Sequence, residues 1–170
     1  MIQYAADIET DGLLKDLTKI HCAVLVNIET GTIDSFSTQA SIIEFLQIIN
    51  SQDVETVWHN GFGFDLLAIK KVSGVDLSYS GRAHDTFVLS QLLYSDLKVH
   101  DFKIKKVAPK LIGSHSLKAW GQRLDCYKGE YDGGWDACNN DMITYNIQDG
   151  IVTRNLFIYL NNQIDGRTWK

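Results

Sequence analysis

The stretch MIQYAADIET, residues 1–10, indicates how the sheet of this protein begins. Its residues 2–8 are mainly apolar, which predicts a buried first strand. Alternation along that strand places Asp7 and Glu9 on one face and Ile8 on the other. Two carboxylates about 7 Å apart along a strand repel each other unless a cation lies between them, and hard divalent cations take oxygen ligands. An acid-x-acid triplet is also typical of a solvated strand edge, but the apolar surroundings of Asp7 favour the metal interpretation.

Outward from this strand, the pattern predicts further strands and then helices. The β-branched run KIHCAVLVN predicts a second strand, and the turn at Glu29-Thr30-Gly31 predicts a hairpin with the third. Strands followed by strands alternating with helices predict an α/β fold with a mixed sheet flanked by helices. The predicted strands are residues 19–27, 32–37 and 54–58, and the predicted helices are 41–50 capped by Thr38 or Ser41, about 64–72, 86–94 capped by Asp85, 114–124 and 141–160.

Two stretches lack a clear period and are predicted as solvated connectors. Residues 98–110 contain five lysines and the only proline, Pro109. A basic connector of this kind could also touch a phosphate backbone. Residues 125–141 contain five acids and three glycines, and we predict a surface loop there.

Length and composition restrict the class of protein. A chain of 170 residues is the size of one domain, and we predict a single domain over residues 1–170. The formal charge of −5 argues against a protein that coats nucleic acid through a broad basic face, but not against a nuclease that gathers carboxylates around metal ions. Three cysteines without metal spacing, no signal-like N-terminus and no apolar run of ~20 residues predict a cytoplasmic protein without a membrane partner.

Two further motifs could carry chemistry. The loop WHNGFGFD, residues 58–65, follows a buried strand, and its Asp65 is either a helix N-cap or a functional acid. In YNIQD, residues 145–149, Tyr145 and Asp149 are i and i+4, so a helix brings them to one face. Apolar neighbours on that helix make a buried, uncompensated Asp149 costly, although a surface aspartate remains the alternative.

In this order, the motifs Asp-x-Glu, Asn-x3-Phe-Asp and Tyr-x3-Asp resemble motifs I, II and III of the proofreading 3′–5′ exonucleases with four carboxylates and a tyrosine in motif III. Longer stretches resemble the proofreading domain of bacteriophage replicative DNA polymerases of family A, over nearly the whole chain: DIETDGLLKDLTKIHCAVL, GSHSLKAWGQRL, KGEY and YNIQDGIVT. The resemblance implies a ribonuclease H-like fold, with a mixed five-stranded sheet flanked by helices. Members of that family continue into a polymerase domain, which we do not expect in this chain.

The resemblance also implies the roles of particular residues. Asp7, Glu9, Asp65 and Asp149 would bind two divalent cations, Mg²⁺ with Mn²⁺ as a substitute, and Tyr145 would orient the attacking water. Two such cations can activate water and stabilise the leaving 3′ oxygen of a phosphodiester. We predict substrate contacts at residues in or next to these motifs and at the start of a later helix, namely Thr10, Leu13, Leu14, Asn60, Phe64, Ser114 and Lys118. Arg123 and Lys128 are further predicted contacts to the DNA backbone.

The expected function is therefore a metal-dependent 3′–5′ DNA exonuclease that releases nucleoside 5′-monophosphates from single-stranded or frayed 3′ ends. Its partners would be single-stranded DNA 3′ ends and, if it proofreads in trans, a separate family A DNA polymerase chain. For a phage-encoded protein, its location would be the host cytoplasm. Two alternatives remain open: a free-standing exonuclease acting on RNA, and a non-catalytic module that binds a polymerase.

Overall fold

A computed structural model describes residues 1–126 and 131–165 of the chain. The sheet consists of β1 (Ile2–Thr10), β2 (Ile20–Asn27), β3 (Ile33–Phe36), β4 (Val54–Trp58) and β5 (Ala83–Asp85). The helices are α1 (Gln39–Asn50), α2 (Asp65–Ser73), α3 (Thr86–Leu93), α4 (Leu97–Ile104), α5 (Leu117–Arg123) and α6 (Asn140–Asp165), with a 3₁₀ turn at Pro109–Leu111. None of the helices in the described ranges combines the length and apolar character that crossing a bilayer requires.

The five strands form one mixed sheet in the order β3-β2-β1-β4-β5. Strand β1 lies at its centre, antiparallel to β2 and parallel to β4. The pairing of β1 with β4 covers only Ile2–Ala5, so Asp7 and Glu9 extend beyond the last residue of β1 that pairs with β4. Because β1 and β4 are parallel, the loop that follows β4 leaves the sheet at the edge where these two acids lie. The predicted α/β fold with a mixed five-stranded sheet is confirmed.

The core has a layer on each face of the sheet. On one face, Ile8 packs in a large cluster with residues of α1 and α2, including Phe45 and Leu66. On the other face, α6 lies across β1 and β2. This packing is close at Gly150, where an added Cβ would lie 2.7 Å from Cγ1 of Val24. The missing side chain therefore lets α6 approach the sheet at the residue after Asp149.

Several predicted element boundaries were wrong. Residues 98–110 are not only a connector, because α4 occupies Leu97–Ile104. Its inward side presents only Leu97 and Asp101 as buried residues, so it has too few apolar positions for a helical period to show. The short β5 was also not predicted individually. Asp65 is the first residue of α2 and does not cap it, since its N-cap is Phe64 and makes no side-chain capping bond. Thr38 and Asp85 are N-caps as predicted.

Candidate active site

Three acids from two elements converge at the edge of the sheet. Asp7 and Glu9 come from β1, and Asp149 comes from the facing turn of α6. One carboxylate oxygen of each lies within 4.8 Å of one from each of the others. The strand alternation at Ile8 and the close approach of α6 at Gly150 together account for this arrangement.

The fourth predicted acid, Asp65, lies beside this group at the start of α2. It is buried, and interactions with its own backbone N–H and with that of Ile8, which precedes Glu9, partly offset the rise of its pKa that burial causes. Its charge raises the pKa of both Asp7 and Glu9. The structure thus brings all four predicted carboxylates to one edge of the sheet, three of them in a tight group and the fourth adjacent.

These acids resist ionisation in the absence of a cation. Burial, followed by the charges of Glu9, Asp65 and Asp149, raises the pKa of Asp7 well above its usual value. Burial and the neighbouring acids raise the pKa of Glu9 to about 8. Burial likewise raises the pKa of Asp65 to about 7 and that of Asp149 to about 6. A set of hard oxygen donors with this mutual repulsion fits the requirements of divalent cations such as Mg²⁺.

Asn146 supports the group and was missed by the sequence analysis. Its side chain is fully buried, and Nδ2 donates a 2.8 Å hydrogen bond to Oδ2 of Asp7. This bond favours the ionised form of Asp7 against the effect of burial. The only signal in the sequence was an asparagine among apolar residues of a helix, three positions before Asp149.

Tyr145 lies on the same helix and bonds to Asp149. The hydrogen bond between them lowers the pKa of Asp149, whereas burial and the charge of Asp149 raise the pKa of Tyr145 above its ordinary value. A phenol whose pKa is raised above 10 stays protonated at neutral pH. Tyr145 can therefore donate a hydrogen bond in the site but is unsuited to act as a base.

A cavity of about 330 Å³ opens beside the acids. Glu9, Thr10, Leu13 and Phe64 line it, together with Gly12 and Trp135. The side chain of Leu13 is 76% exposed, so it stands free at the cavity mouth. Of the predicted substrate contacts, the structure thus brings Thr10, Leu13 and Phe64 to the acids.

Trp135 was not predicted as a site residue, because it lies in the acidic segment interpreted as a surface loop. Its carbonyl bonds to Nε2 of the buried His21 at 2.8 Å. Its ring packs edge-on against Tyr131 with centroids 5.1 Å apart, and Tyr131 in turn lies 5.9 Å from the ring of Tyr145. The described part of this loop, residues 131–139, is therefore fastened against the site rather than only solvated.

The other predicted contacts lie elsewhere among the described residues. Leu14 packs against the core cluster beneath α2 and does not line the cavity. Asn60 turns the loop after β4 with a positive φ of 63°. Ser114 bonds to Ser116, the N-cap of α5, and Lys118 lies in the first turn of that helix. None of these residues lines the described cavity beside Glu9.

The side chain of Arg123 is buried, whereas a residue that binds the DNA backbone has to be exposed. It is 5% exposed, and its Nε and Nη2 donate to the two carboxylate oxygens of Asp101, each at 2.7 Å. Its guanidinium also lies 4.7 Å from the ring centroid of Trp120. The prediction of a DNA-backbone contact at Arg123 was therefore wrong, and Lys128 lies outside the described residues.

Asp85 holds the loop that leads to Asp65. Its buried carboxylate caps α3 through the backbone N–H groups of Phe87 and Val88. The same carboxylate accepts hydrogen bonds from the backbone N–H groups of Asn60 at 3.0 Å and Phe62 at 3.2 Å. One side chain thus joins the N-terminus of α3 to the loop before α2.

Replacement of Asp85 by alanine should lower the free energy of unfolding by about 2 to 4 kcal/mol, because it removes a helix cap and leaves the partly buried N–H groups of Asn60 and Phe62 without their partner. Urea unfolding measures this change. The control is Thr38→Ala, which removes the exposed N-cap of α1 and should cost only about 1 kcal/mol. Equal losses in the two variants would contradict a role for Asp85 in the loop.

The fold and the acids define a class: a ribonuclease H-like α/β domain with a carboxylate cluster between its central strand and a facing helix. Solved structures share this fold. They include an apo nuclease (TM-score 0.69, 18% identity, 97% of this chain and 75% of that one) and Escherichia coli RNase D, an exoribonuclease (TM-score 0.61, 12% identity, 96% of this chain and 40% of that one). The phi29 DNA polymerase complex with primer-template DNA also matches (TM-score 0.56, 12%, 98% and 32%). The predicted ribonuclease H-like fold is confirmed.

Sequence similarity is more specific. The chain is 33% identical over 178 residues to the DNA-directed DNA polymerases of Escherichia phage T7 and of Enterobacteria phage T3, and the match covers 89% of this chain. It spans only 25% of each polymerase. No family model matches the chain. The predicted resemblance to phage DNA polymerases is confirmed by this similarity.

Proposed function

We propose that this protein is a 3′–5′ exonuclease that hydrolyses DNA from single-stranded or frayed 3′ ends with the help of divalent cations. The observation that carries the proposal is the group formed by Asp7, Glu9 and Asp149, whose oxygens lie within 4.8 Å of one another beside an open cavity. The similarity to phage DNA-directed DNA polymerases supports DNA as the substrate. The fold that the chain shares with nucleases supports hydrolysis of DNA rather than its synthesis.

Asp7, Glu9 and Asp149 would hold one cation, and Asp7 with Asp65 would hold a second. Such cations, when bound, supply activation of water and charge stabilisation for phosphodiester hydrolysis. Asn146 fixes the orientation of the Asp7 carboxylate through its 2.8 Å hydrogen bond. Four acids on rigid elements of the fold suit this task, because the sheet edge and two helices set their separation.

Tyr145 would orient the attacking water through its hydroxyl oxygen, which can accept a hydrogen bond from the water. Its hydroxyl already bonds to Asp149, and its raised pKa keeps the proton on the phenol at neutral pH. The ring of Tyr131, from the loop 131–139, packs beside it with centroids 5.9 Å apart.

The cavity would receive the terminal nucleotide of the substrate. Its walls are mostly apolar and aromatic, with Leu13, Phe64 and Trp135 around Glu9, which suits a base placed next to the scissile phosphate. Thr10 has its hydroxyl engaged with the Gly12 carbonyl at 2.8 Å, which shapes the cavity floor.

Replacement of Trp135 by alanine should raise KM for a single-stranded oligonucleotide about tenfold, because base stacking on an aromatic ring contributes about 1 to 3 kcal/mol. Trp135→Phe keeps a ring in the same place and should retain most of the affinity. Steady-state cleavage kinetics measure both variants. If Trp135→Ala and wild type have the same KM, the cavity does not hold the terminal base.

The direct test of the function uses an oligodeoxynucleotide with a label at its 5′ end. With Mg²⁺, we expect a ladder of progressively shorter labelled products and release of nucleoside 5′-monophosphates, and excess EDTA should stop the reaction. An oligoribonucleotide of the same sequence serves as the comparison. If the oligoribonucleotide is digested faster, RNA rather than DNA is the substrate. If neither oligonucleotide is digested, the result favours the non-catalytic polymerase-binding module.

Proofreading for a DNA polymerase is the proposed role, because the chain is similar in sequence to phage DNA-directed DNA polymerases. The partner would be a separate family A DNA polymerase chain. Its test is a primer-extension assay with a mismatched 3′ end, in which the added protein should restore removal of the mismatch. A polymerase that gains no fidelity from the protein would leave a free-standing exonuclease as the role.

A further inference from the structure

Positive charge is concentrated in one short part of this acidic chain. Residues 98–110 contain five lysines and one aspartate, a formal charge of +4, so the rest of the chain carries −9. The single aspartate, Asp101, does not offset the lysines, because it is 2% exposed and forms its ion pair with Arg123. Asp101 also accepts a 2.7 Å hydrogen bond from the backbone N–H of Gly113. The exposed charges of residues 98–110 are therefore those of the lysines.

Four of these lysines form what we call the lysine face: Lys98 and Lys103 on α4, and Lys105 and Lys110 after it. All four are exposed, and none has a carboxylate at ion-pair distance among residues 1–126 and 131–165. The fifth lysine, Lys106, is paired with Asp125.

Exposed apolar groups lie between the lysines. Val99 is 47% exposed and Phe102 is 56% exposed, and both lie between Lys98 and Lys103 in the sequence of α4. Lysines interleaved with an exposed aromatic ring form the kind of surface that follows a nucleic-acid strand, with ammonium groups at phosphates and the ring available to a base. An acidic protein surface would also attract the lysines, but it would offer no base for the exposed ring of Phe102 to stack on.

A chain of direct contacts joins this region to the candidate active site. Lys106 pairs with Asp125, and the next residue, Cys126, accepts a 2.5 Å hydrogen bond at its carbonyl from Nε2 of Gln148. Gln148 immediately precedes Asp149 on α6. Lys106, the neighbour of Lys105 in the chain, is thus connected by these contacts to the residue that precedes Asp149.

We propose that the lysine face binds the phosphate backbone of the DNA strand whose 3′ end occupies the carboxylate site. This inference rests on the proposed exonuclease function and adds a second area of contact outside the cavity. The physical reason is repulsion: a site built from four carboxylates disfavours a polyanion, so affinity for DNA needs positive charge elsewhere. The lysine face supplies that charge in a chain whose remainder is strongly acidic.

The test compares two double variants with a control of equal charge. K98Q/K103Q and K105Q/K110Q each remove two lysines from the face, and K19Q/K70Q removes two exposed lysines from other parts of the surface. Binding of a labelled single-stranded 20-mer is measured in EDTA, where no cleavage occurs, over a range of salt concentrations. Each lysine that contacts a phosphate contributes about 0.7 to the slope of log affinity against log salt for single strands.

We expect each double variant of the lysine face to flatten this slope by about 1.4 and to weaken binding at low salt, while K19Q/K70Q retains the wild-type slope. Cleavage of a dinucleotide, which is too short to reach the face, should proceed at the wild-type kcat/KM in all three variants. Equal slopes in the lysine-face variants and the control would overturn the inference, even if the enzyme degrades DNA. Failure of wild type to cleave any substrate would instead contradict the proposed function, and the binding slopes would still decide the role of the face.

Discussion

Replacement of Asp7 by asparagine is expected to lower exonuclease activity by at least about a thousandfold, equivalent to roughly 4 kcal/mol of transition-state stabilisation. Asp7 is the acid that the proposed arrangement assigns to both cations, and its carboxylate lies within 4.8 Å of those of Glu9 and Asp149. Asparagine keeps the shape of the side chain but cannot supply the negative charge that both cations require. Single-turnover cleavage of a labelled oligodeoxynucleotide measures the loss.

The same substitution should leave the metal-free protein at least as stable as wild type. It removes a carboxylate whose pKa is raised by burial and by three neighbouring acids, so a source of repulsion disappears. The side-chain oxygen of asparagine can still accept the hydrogen bond from Asn146. Urea unfolding in EDTA tests this, and a strongly destabilised variant would mean that the loss of activity came from misfolding.

Asp11→Asn is the matched control, because Asp11 is close to Glu9 in the sequence and loses the same charge. Its carboxylate bonds to the backbone N–H groups of Thr18 and Lys19, and it is not part of the carboxylate group. Activity should therefore stay near that of wild type. If Asp7→Asn is as active as Asp11→Asn, the metal assignment is wrong.

The second large effect concerns stability without metal. The pKa of Glu9 is about 8 and that of Asp65 about 7 in the folded protein, because both are buried among like charges. Unfolded carboxyl groups titrate near pH 4. Between these values the folded state binds more protons than the unfolded state, so the free energy of unfolding must fall as pH rises. We expect a clear loss of stability in EDTA from pH 6.5 to 8.5.

The pH range matters because His59 acts in the opposite direction below it. Burial lowers the pKa of His59 to about 4, so stability rises with pH as the histidine of the unfolded state loses its proton near pH 6.5. That contribution fades as pH rises above 6.5 and is nearly complete by about pH 7.5. The slope measured there reports mainly the acids of the site.

Urea unfolding at several pH values, with EDTA or with Mg²⁺, measures the effect. A cation at a hundred times its Kd should add about 2.7 kcal/mol and should reduce the pH dependence, since it takes the place of the bound protons. Glu9→Gln should flatten the dependence in EDTA, whereas Glu44→Gln on the exposed surface of α1 should not. Metal-free stability that is constant or rises from pH 6.5 to 8.5 would contradict the mutual repulsion of the acids.

Much of the fold could be predicted because its main elements have strong local patterns. The strands β1, β2 and β4 are rich in apolar or β-branched residues, and α1 has both a helical period and a capping box at Thr38. By contrast, α4 has only two buried residues, and one of them, Asp101, is stabilised by an arginine 22 residues later. No local pattern reveals such a partner, so α4 was interpreted as a connector.

The residues of the candidate site also fall into those that the sequence predicted and those that it did not. The resemblance of the three motifs to those of the proofreading exonucleases predicted Asp7, Glu9, Asp65, Tyr145 and Asp149, and the structure brings these residues together. Trp135 and Asn146 were missed because each depends on a contact with a distant segment. Trp135 is fastened to His21 across 114 positions, and Asn146 bonds to Asp7 across 139.

The sequence by itself determined which chemical groups are present and which way each one faces on its own element. Strand alternation separates Asp7 and Glu9 from Ile8, and the helical period aligns Tyr145 with Asp149. Only the tertiary structure decided that these two local arrangements meet. It does so because β1 extends beyond its pairing with β4, and because Gly150 has no side chain to keep α6 away from Val24. Convergence depends on packing between elements, and no local pattern in the chain encodes that distance.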